Sequence, residues 1–141
     1  MNTDLIDIKI RAVEGGVTAA AGFKAAGIHA GFRKNPERLD YALVVPDKPC
    51  SGAGVFTTNR FCAAPVQVSR ANLGGADKGY GIIAGVSINS GNANAATGET
   101  GLACARETCN IASQVIGCEP QQILVASTGV IGQILPIDTF E

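Results

Sequence analysis

The first candidate for chemistry in this 141-residue sequence is a Thr-Gly pair at the end of an apolar segment. Gln122 to Ala126 is typical of a buried strand, and it runs into Ser127 to Gly132, STGVIG. At a sheet edge, the Thr128 hydroxyl and the Gly129 N–H can point at the same external oxygen. Two such donors stabilise the oxyanion of a tetrahedral intermediate, and losing one typically costs about 3 kcal/mol of barrier. Taken alone, the pattern is commonplace, and a structural turn is its simpler interpretation.

The second candidate is the Asn-rich loop Ile88 to Gly98, INSGNANAATG. Asn and Gly tolerate positive φ and so build compact turns after a buried strand. Between a strand end and a helix start, the loop amides could form an anion-binding nest. It matches neither GxGxxG nor a P-loop, so we expect no nucleotide site. The roles of Asn92 and Asn94 stay open between a backbone-satisfying turn and direct catalysis.

The cysteines and the single histidine do not suggest a metal site. The five cysteines form an odd set without CxxC, so zinc-type spacing is missing. They are Cys50, Cys62, Cys104, Cys109 and Cys118. We expect them to be reduced and mostly buried as small hydrophobes. No motif favours a Cys-His nucleophile pair, and His29 is interpreted as a packed or edge residue rather than a base.

The charged residues are few and scattered. Lys and Arg number 11 and Asp and Glu 12, giving a net charge of −1 and a pI of about 5.8. Nucleic acids and anionic membranes are therefore not expected partners. Arg60 could face a carboxylate substrate, but no other pattern in the sequence supports that role. Lys24, Arg33 and Lys34 are interpreted as a solvated strand edge that discourages edge-to-edge pairing.

The N-terminal segment indicates a cytoplasmic protein. From Leu5 to Arg11 apolar and charged residues alternate, which predicts a half-buried strand. Acidic residues stand where a secretory signal would carry positive charge, and the apolar block of such a signal is missing. The long uncharged stretches are interrupted by polar residues, so no membrane span is expected.

Most of the remaining chain is predicted as strands, followed by one clear helix. The predicted strands are 23–32, 39–45, 52–58, 64–69 and 122–126, with 82–89 as a central strand covered on both faces. From Glu99 to Ile116 apolar residues advance by steps of three and four, which predicts an amphipathic helix. Gly117 can supply its left-handed C-terminal position, and Pro136 marks the start of another helix.

These elements indicate a mixed α/β layer protein with residues 1–141 as a single domain. The sequence stops at Glu141, one turn into the predicted last helix. Together with the low charge, this suggests one piece of a longer molecule whose uncharged surface meets a partner.

In order and spacing, five segments resemble the N-terminal half of the ornithine acetyltransferase family, also called glutamate N-acetyltransferase. The resemblance runs from about Gly15 to Asp138 and is most specific in NSGNANA and STGVIG. The segments are 15–34 (GGVTAAAGFKAAGIHAGFRK), 39–45 (LDYALVV), 49–66 (PCSGAGVFTTNRFCAAPV), 88–101 (INSGNANAATGETG) and 123–138 (ILVASTGVIGQILPID). The implied fold is the layered sheet-and-helix fold, α/β (α+β), of the ornithine acetyltransferase and DmpA-like type.

The resemblance implies a two-chain, autoprocessed enzyme of arginine biosynthesis. In that family a precursor cleaves itself between Ala and Thr, and the freed Thr of the β chain is the nucleophile, with its own α-amine as base. A ping-pong cycle carries acetyl from N-acetylornithine to glutamate, and some members also accept acetyl-CoA. No other cofactor is implied. The resemblance assigns Thr128, by its hydroxyl, and Gly129, by its N–H, to the oxyanion hole, and it suggests a heterotetramer of two α and two β chains.

The departures from the family pattern matter as much. The cleavage segment Lys-Gly-x-Gly-Met-Ile-x-Pro-x-Met-Ala-Thr-Met is missing, as are the downstream Thr and Lys that hold substrate. Ala96-Thr97 lacks that context and is rejected as the scissile site, and Ala96 stands where the family often has Cys, a change expected to be silent. We therefore expect no activity from this chain alone. A β-peptidyl aminopeptidase-like hydrolase of the same fold, or a non-catalytic fragment, are the alternatives.

Overall fold

A computed structural model of the protein describes residues 11–75 and 77–140, and these form six strands, two α-helices and three short 3-10 turns. The strands are β1 (Phe23–Ile28), β2 (Tyr41–Pro46), β3 (Cys50–Ala53), β4 (Tyr80–Ile83), β5 (Gly85–Asn92) and β6 (Ile123–Val130). The helices are α1 (Ala64–Asn72) and α2 (Gly98–Ile116). The strand predicted over Leu5 to Arg11 lies almost wholly outside the described residues.

Four strands form the main sheet, in the order β1-β2-β5-β6. The first three pair antiparallel, whereas β5 and β6 run parallel with Asn89 opposite Ser127 and Gly91 opposite Gly129. Parallel neighbours need a crossover connection, and α2 provides it. The carboxyl ends of β5 and β6 therefore lie side by side, and each carries one of the two candidate segments.

The long helix confirms the periodicity argument. Its Ala105, Cys109 and Ala112 are buried and pack with Ile123 and Val125 of β6. Gly117 takes the left-handed conformation at φ 81° and donates its N–H to the Ser113 carbonyl, as its type predicts. The core thus lies between α2 and one face of the main sheet.

The strand predicted over Ala64 to Ser69 is wrong, because this segment begins α1. Pro65 in the first turn is compatible with a helix start, and Ala64 and Val68, four residues apart, share the buried face. The β-branched residues suggested a strand, but tertiary packing outweighs that weak preference. The Ser69 hydroxyl bonds both the carbonyl and the amide of Val125 (2.8 and 2.9 Å), so α1 covers part of the outer edge of β6.

The apolar run over 82–89 contains two strands instead of one. Ile83 ends β4, which pairs with β3 in a separate two-stranded sheet, and β5 begins at Gly85. The intervening Ala84 donates its N–H to the Gln122 carbonyl. The strand predicted over 52–58 is wrong in its bounds, because β3 begins at Cys50 and ends at Ala53.

One face of the main sheet is covered by the helices, whereas no described element covers the other. Strand alternation places Leu43, Ile123 and Val125 toward the helices, and it places residues such as Val86, Ile88 and Leu124 on the opposite, half-buried face. The prediction that the central strand is covered on both faces therefore fails among the described residues. β1 is an exposed edge strand, and it ends at Ile28 rather than Phe32.

Two further features complete the described chain. A 3-10 turn, Ile137–Phe140, stands where Pro136 predicts a helix start. Neither described helix combines the length and the apolar character that crossing a bilayer requires.

Candidate active site

The Thr-Gly pair lies at the carboxyl end of β6, opposite Ser90 and Gly91 of β5. Both Thr128 and Gly129 are exposed, although the first half of the same strand is buried. The strand therefore emerges from the core just before the candidate donors. This is the placement that the sequence predicts for them.

Backbone alternation along β6 indicates where each donor points. The Val130 carbonyl accepts a hydrogen bond from the Ala93 N–H (2.9 Å), so the polar backbone groups of Val130 face β5. The N–H and carbonyl of Val125 both bond the Ser69 hydroxyl, so they face the outer side of the sheet. Since successive residues of a strand alternate, the Gly129 N–H is directed away from β5 toward the outer edge. The Thr128 side chain lies on the sheet face opposite the helices, because those of Ile123 and Val125 face the helices.

Only glycine fits at position 129. Its φ of +139° is a conformation that other residues rarely adopt, and a Cβ there would contact the Gly91 carbonyl carbon and lie 2.5 Å from the Gly91 O and the Asn92 N. The close approach of the two backbones therefore depends on the absence of this side chain.

The Asn-rich loop is a network of satisfied buried amides. Asn89 donates to the Asn92 carbonyl (2.8 Å), and the Asn92 Oδ1 accepts the Asn94 N–H (2.7 Å). The Asn92 Nδ2 donates to the carbonyls of Gln133 (3.3 Å) and Ile134 (3.1 Å). These contacts favour the backbone-satisfying interpretation and tie the segment after Thr128-Gly129 to the end of β5.

Asn94 fixes the start of α2 in the same way. It adopts a positive φ of 45°, donates to the Gly101 carbonyl (2.8 Å) and accepts the Thr97 hydroxyl (2.8 Å). A Cβ at Gly101 would lie 2.5 Å from the Asn94 Oδ1. The amide is fully buried, so it is held in the interior by its partners and does not face a ligand.

A buried carboxylate, Asp40, holds the loop between β1 and β2. It accepts the backbone N–H groups of Ala30 (2.6 Å) and Arg33 (2.7 Å), and His29 lies 3.3 Å away. Burial alone raises the pKa of Asp40, but these backbone hydrogen bonds and His29 together lower it below the ordinary 3.8. The His29 Nδ1 also lies 3.0 Å from the Arg38 carbonyl. These contacts fit the interpretation of His29 as a packed residue rather than a base.

The structure corrects the interpretation of Arg33 as a solvated strand edge. Lys24 does lie on the edge strand β1, in an exposed ion pair with Asp47. Arg33 instead lies on the loop, half-buried, and its Nη2 and Nε donate to the Ser90 hydroxyl (2.6 and 3.2 Å). Ser90 is the ladder partner of Thr128. No local pattern signals this contact, because its partners are 57 residues apart.

Arg60 lies in a different place. It lines a cleft of about 350 Å³ with Phe61, Cys62 and residues 96–99 at the start of α2. Neither Thr128 nor Gly129 lines this cleft. The structure therefore does not bring Arg60 together with the Thr-Gly pair.

All five cysteines are free, as expected, but only Cys109 is buried, and the others are partly exposed. Burial raises the pKa of the Cys109 thiol to about 11, despite an opposing hydrogen bond from Asn72. A thiol with that pKa stays protonated near neutral pH and is a poor nucleophile. Cys109 thus acts as a small core residue.

Comparison with known proteins decides the family. A family model described as the ArgJ family matches residues 24–141. The chain belongs to the ArgJ family. Among curated relatives, the ArgJ bifunctional arginine biosynthesis protein of Dehalococcoides mccartyi is 46% identical over 126 residues, which are 89% of this chain and 30% of that protein. The protein of the same name from Bifidobacterium longum is 50% identical over 86% of this chain and 30% of its own length.

Solved ArgJ structures confirm the fold. The Bacillus halodurans ArgJ protein matches with a TM-score of 0.80 at 36% identity, over 89% of this chain and 63% of that one. The ornithine acetyltransferase of Mycobacterium tuberculosis, solved in complex with ornithine, matches with a TM-score of 0.79 at 39% identity, over 89% and 65%. The mixed α/β fold of the ornithine acetyltransferases is thereby confirmed. The chain spans about 30% of the length of its curated ArgJ relatives.

Proposed function

We propose that this chain is the α-side part of an acetyltransferase that moves acetyl from N-acetylornithine to glutamate in the cytoplasm. The observation that carries the proposal is the Thr128-Gly129 pair at the exposed end of β6. Membership of the ArgJ family and the likeness to an ornithine acetyltransferase solved with ornithine support the choice of substrate.

In the proposed cycle, the hydroxyl of a Thr nucleophile attacks the acetyl carbonyl carbon and passes its proton to its own α-amine. The carbonyl π electrons move to the oxygen, and the Thr128 hydroxyl and the Gly129 N–H donate hydrogen bonds to the resulting oxyanion. The oxyanion then re-forms the carbonyl, and the bond between the acetyl carbon and the ornithine nitrogen breaks. The ammonium group of the nucleophile donates its proton to the departing ornithine amine, and an acetyl ester remains on the nucleophile. Glutamate attacks this ester and reverses the steps.

The nucleophile belongs, in this proposal, to a β chain, and two α and two β chains form the enzyme. The chain spans only about 30% of the length of its curated relatives. One face of its main sheet is left uncovered by the described elements. Both facts support a partner that completes the site. Acetyl-CoA is a second candidate donor of the acetyl group and would act as a co-substrate.

The test is to purify the complete gene product that carries this chain and to measure its intact mass and its acetyl transfer. We expect a second, Thr-initiated chain to copurify, and we expect N-acetylglutamate to form from N-acetylornithine and labelled glutamate. Parallel incubations supply acetyl-CoA as donor, or a β-amino-acyl amide without any acceptor. Hydrolysis of the amide without acetyl transfer would refute the proposal in favour of an aminopeptidase-like hydrolase. If no second chain copurifies and neither reaction occurs, the chain belongs to a non-catalytic module.

A further inference from the structure

The outer edge of β6 is closed along its first half by side chains of α1. β6 is the last strand of the main sheet, so β5 pairs with only one of its edges. Along the other edge, the Nδ2 of Asn72 donates to the Ile123 carbonyl (2.7 Å), and the Ser69 hydroxyl bonds both backbone groups of Val125. Two polar side chains, three residues apart on α1, thus take the place of a fifth strand over this half.

The second half of the same edge is open. Backbone groups of alternate residues face the same way, so those of Ser127 point outward like those of Val125, and the next outward N–H is that of Gly129. Within residues 11–75 and 77–140, no hydrogen bond reaches the N–H or the carbonyl of Ser127. Ser127 is partly exposed, and its neighbours Ala126 and Thr128 are exposed. A bare strand edge of this kind is a template for another strand.

We propose that an extended segment of the β chain adds to this edge at Ser127 and brings the nucleophile to Gly129. Addition of a strand to an exposed sheet edge is a recurrent mode of recognition, in which main-chain hydrogen bonds supply the affinity. The inference rests on the proposed function, since that function supplies both the β chain and its nucleophile.

Distances along the strand favour the segment that begins with the nucleophile. A nucleophile must come within about 3–3.5 Å of the acetyl carbon, whose oxygen lies about 3 Å from the Gly129 N–H. Gly129 is two residues beyond Ser127, which is about 7 Å along a strand. A chain that starts at the nucleophile, runs antiparallel to β6 and pairs its third residue with Ser127 therefore places its first residue across from Gly129.

The short length of the open edge excludes a second copy of this chain as the occupant. Ser69 already occupies both backbone groups of Val125, so the edge offers one complete pair of groups, those of Ser127. A second copy pairing edge to edge would also take up the Gly129 N–H and close the acyl site. One short segment fits the edge and leaves that donor available.

Amide hydrogen exchange of the assembled enzyme, followed by NMR, detects this contact directly. The Val125 N–H is bonded to Ser69, and those of Ala126 and Thr128 face β5, so all three should exchange slowly in any case. The Ser127 N–H has no partner among the described residues, so its exchange is slow only if the β chain supplies one. We expect it to be slowed at least about 100-fold relative to an unstructured peptide.

A proline at position 127 tests the same contact by removing the donor. Ser127→Pro loses the N–H and fills the edge with its ring, whereas Ser127→Ala keeps the N–H and is the matched control. Because the missing N–H faces away from β5, the ladder should survive. We expect Ser127→Pro to raise the dissociation constant of the α and β chains at least about tenfold, and Ser127→Ala to leave it within about twofold of wild type. Native mass spectrometry over a dilution series measures both.

The wild-type exchange rate decides the proposal even if the proline disturbs the ladder. Fast exchange of the Ser127 N–H in the assembled enzyme would overturn it. So would wild-type association of Ser127→Pro while the Ala126 and Thr128 amides stay protected. Slow exchange at Ser127 without acetyl transfer would refute the proposed function and leave strand addition standing, whereas acetyl transfer with fast exchange at Ser127 would do the reverse.

Discussion

Replacing Gly129 with Ala tests whether the close approach of β5 and β6 builds the site. The added Cβ would lie 2.5 Å from the Gly91 O and the Asn92 N, both of them backbone atoms that cannot rotate away. Holding a residue other than Gly at a φ of +139° costs about 1–3 kcal/mol, and forcing extra atoms into a packed site costs about 1–3 kcal/mol more. We therefore expect a loss of about 2–6 kcal/mol of unfolding free energy, or a displaced end of β6.

Gly132→Ala is the matched control. Gly132 also has a positive φ, of +81°, but a Cβ there would meet nothing within 4 Å. Denaturant titration of the assembled enzyme should show a loss of about 1–2 kcal/mol for the control, the cost of a left-handed conformation alone, and a larger loss for Gly129→Ala. Acetyl transfer should fall at least tenfold for Gly129→Ala alone. Equal destabilisation of the two variants with unchanged transfer would refute the reasoning from strand contact.

Two further variants test the elements that hold the site. Asp40→Asn should destabilise the enzyme by about 2–3 kcal/mol near neutral pH, because it weakens charge-assisted hydrogen bonds. Since the pKa of Asp40 is lowered on folding, its contribution is complete well above pH 3.8 and is lost as the pH falls through the folded value. The unfolding temperatures of Asp40→Asn and wild type should therefore differ at pH 7 and converge as the pH falls to 2. The exposed control Asp47→Asn should lie close to wild type at pH 7. A gap between Asp40→Asn and wild type that stays constant with pH would contradict the assignment. Asn92→Ala should cost about 2–3 kcal/mol and lower kcat, because Gln133 and Ile134 lose their donor. Asn92→Asp keeps the acceptor for Asn94 and should match Asn92→Ala in kcat; a full recovery of kcat would show that the donor is dispensable.

Local patterns in the sequence predict the helix over 98–116 and its end at Gly117, because periodicity and left-handed glycine act within a few residues. They also predict the Thr128-Gly129 strand end. They fail at α1, where burial against β6 outweighs the β-branched residues, and at Ala84, where one apolar run is divided between two sheets. Arg33 is misassigned for the same physical reason, since only the fold brings it to Ser90. Segments whose structure depends on distant partners are those that a single sequence does not determine.

The measurement that tests the central claim most directly is acetyl transfer by Thr128→Ala and Thr128→Ser in the assembled enzyme. Thr128→Ala removes the hydroxyl at an exposed position, so stability should change little while kcat falls about 100-fold or more. Thr128→Ser retains the donor and should recover most of the rate. A rate for Thr128→Ala within about twofold of wild type would contradict the claim that this hydroxyl stabilises the oxyanion.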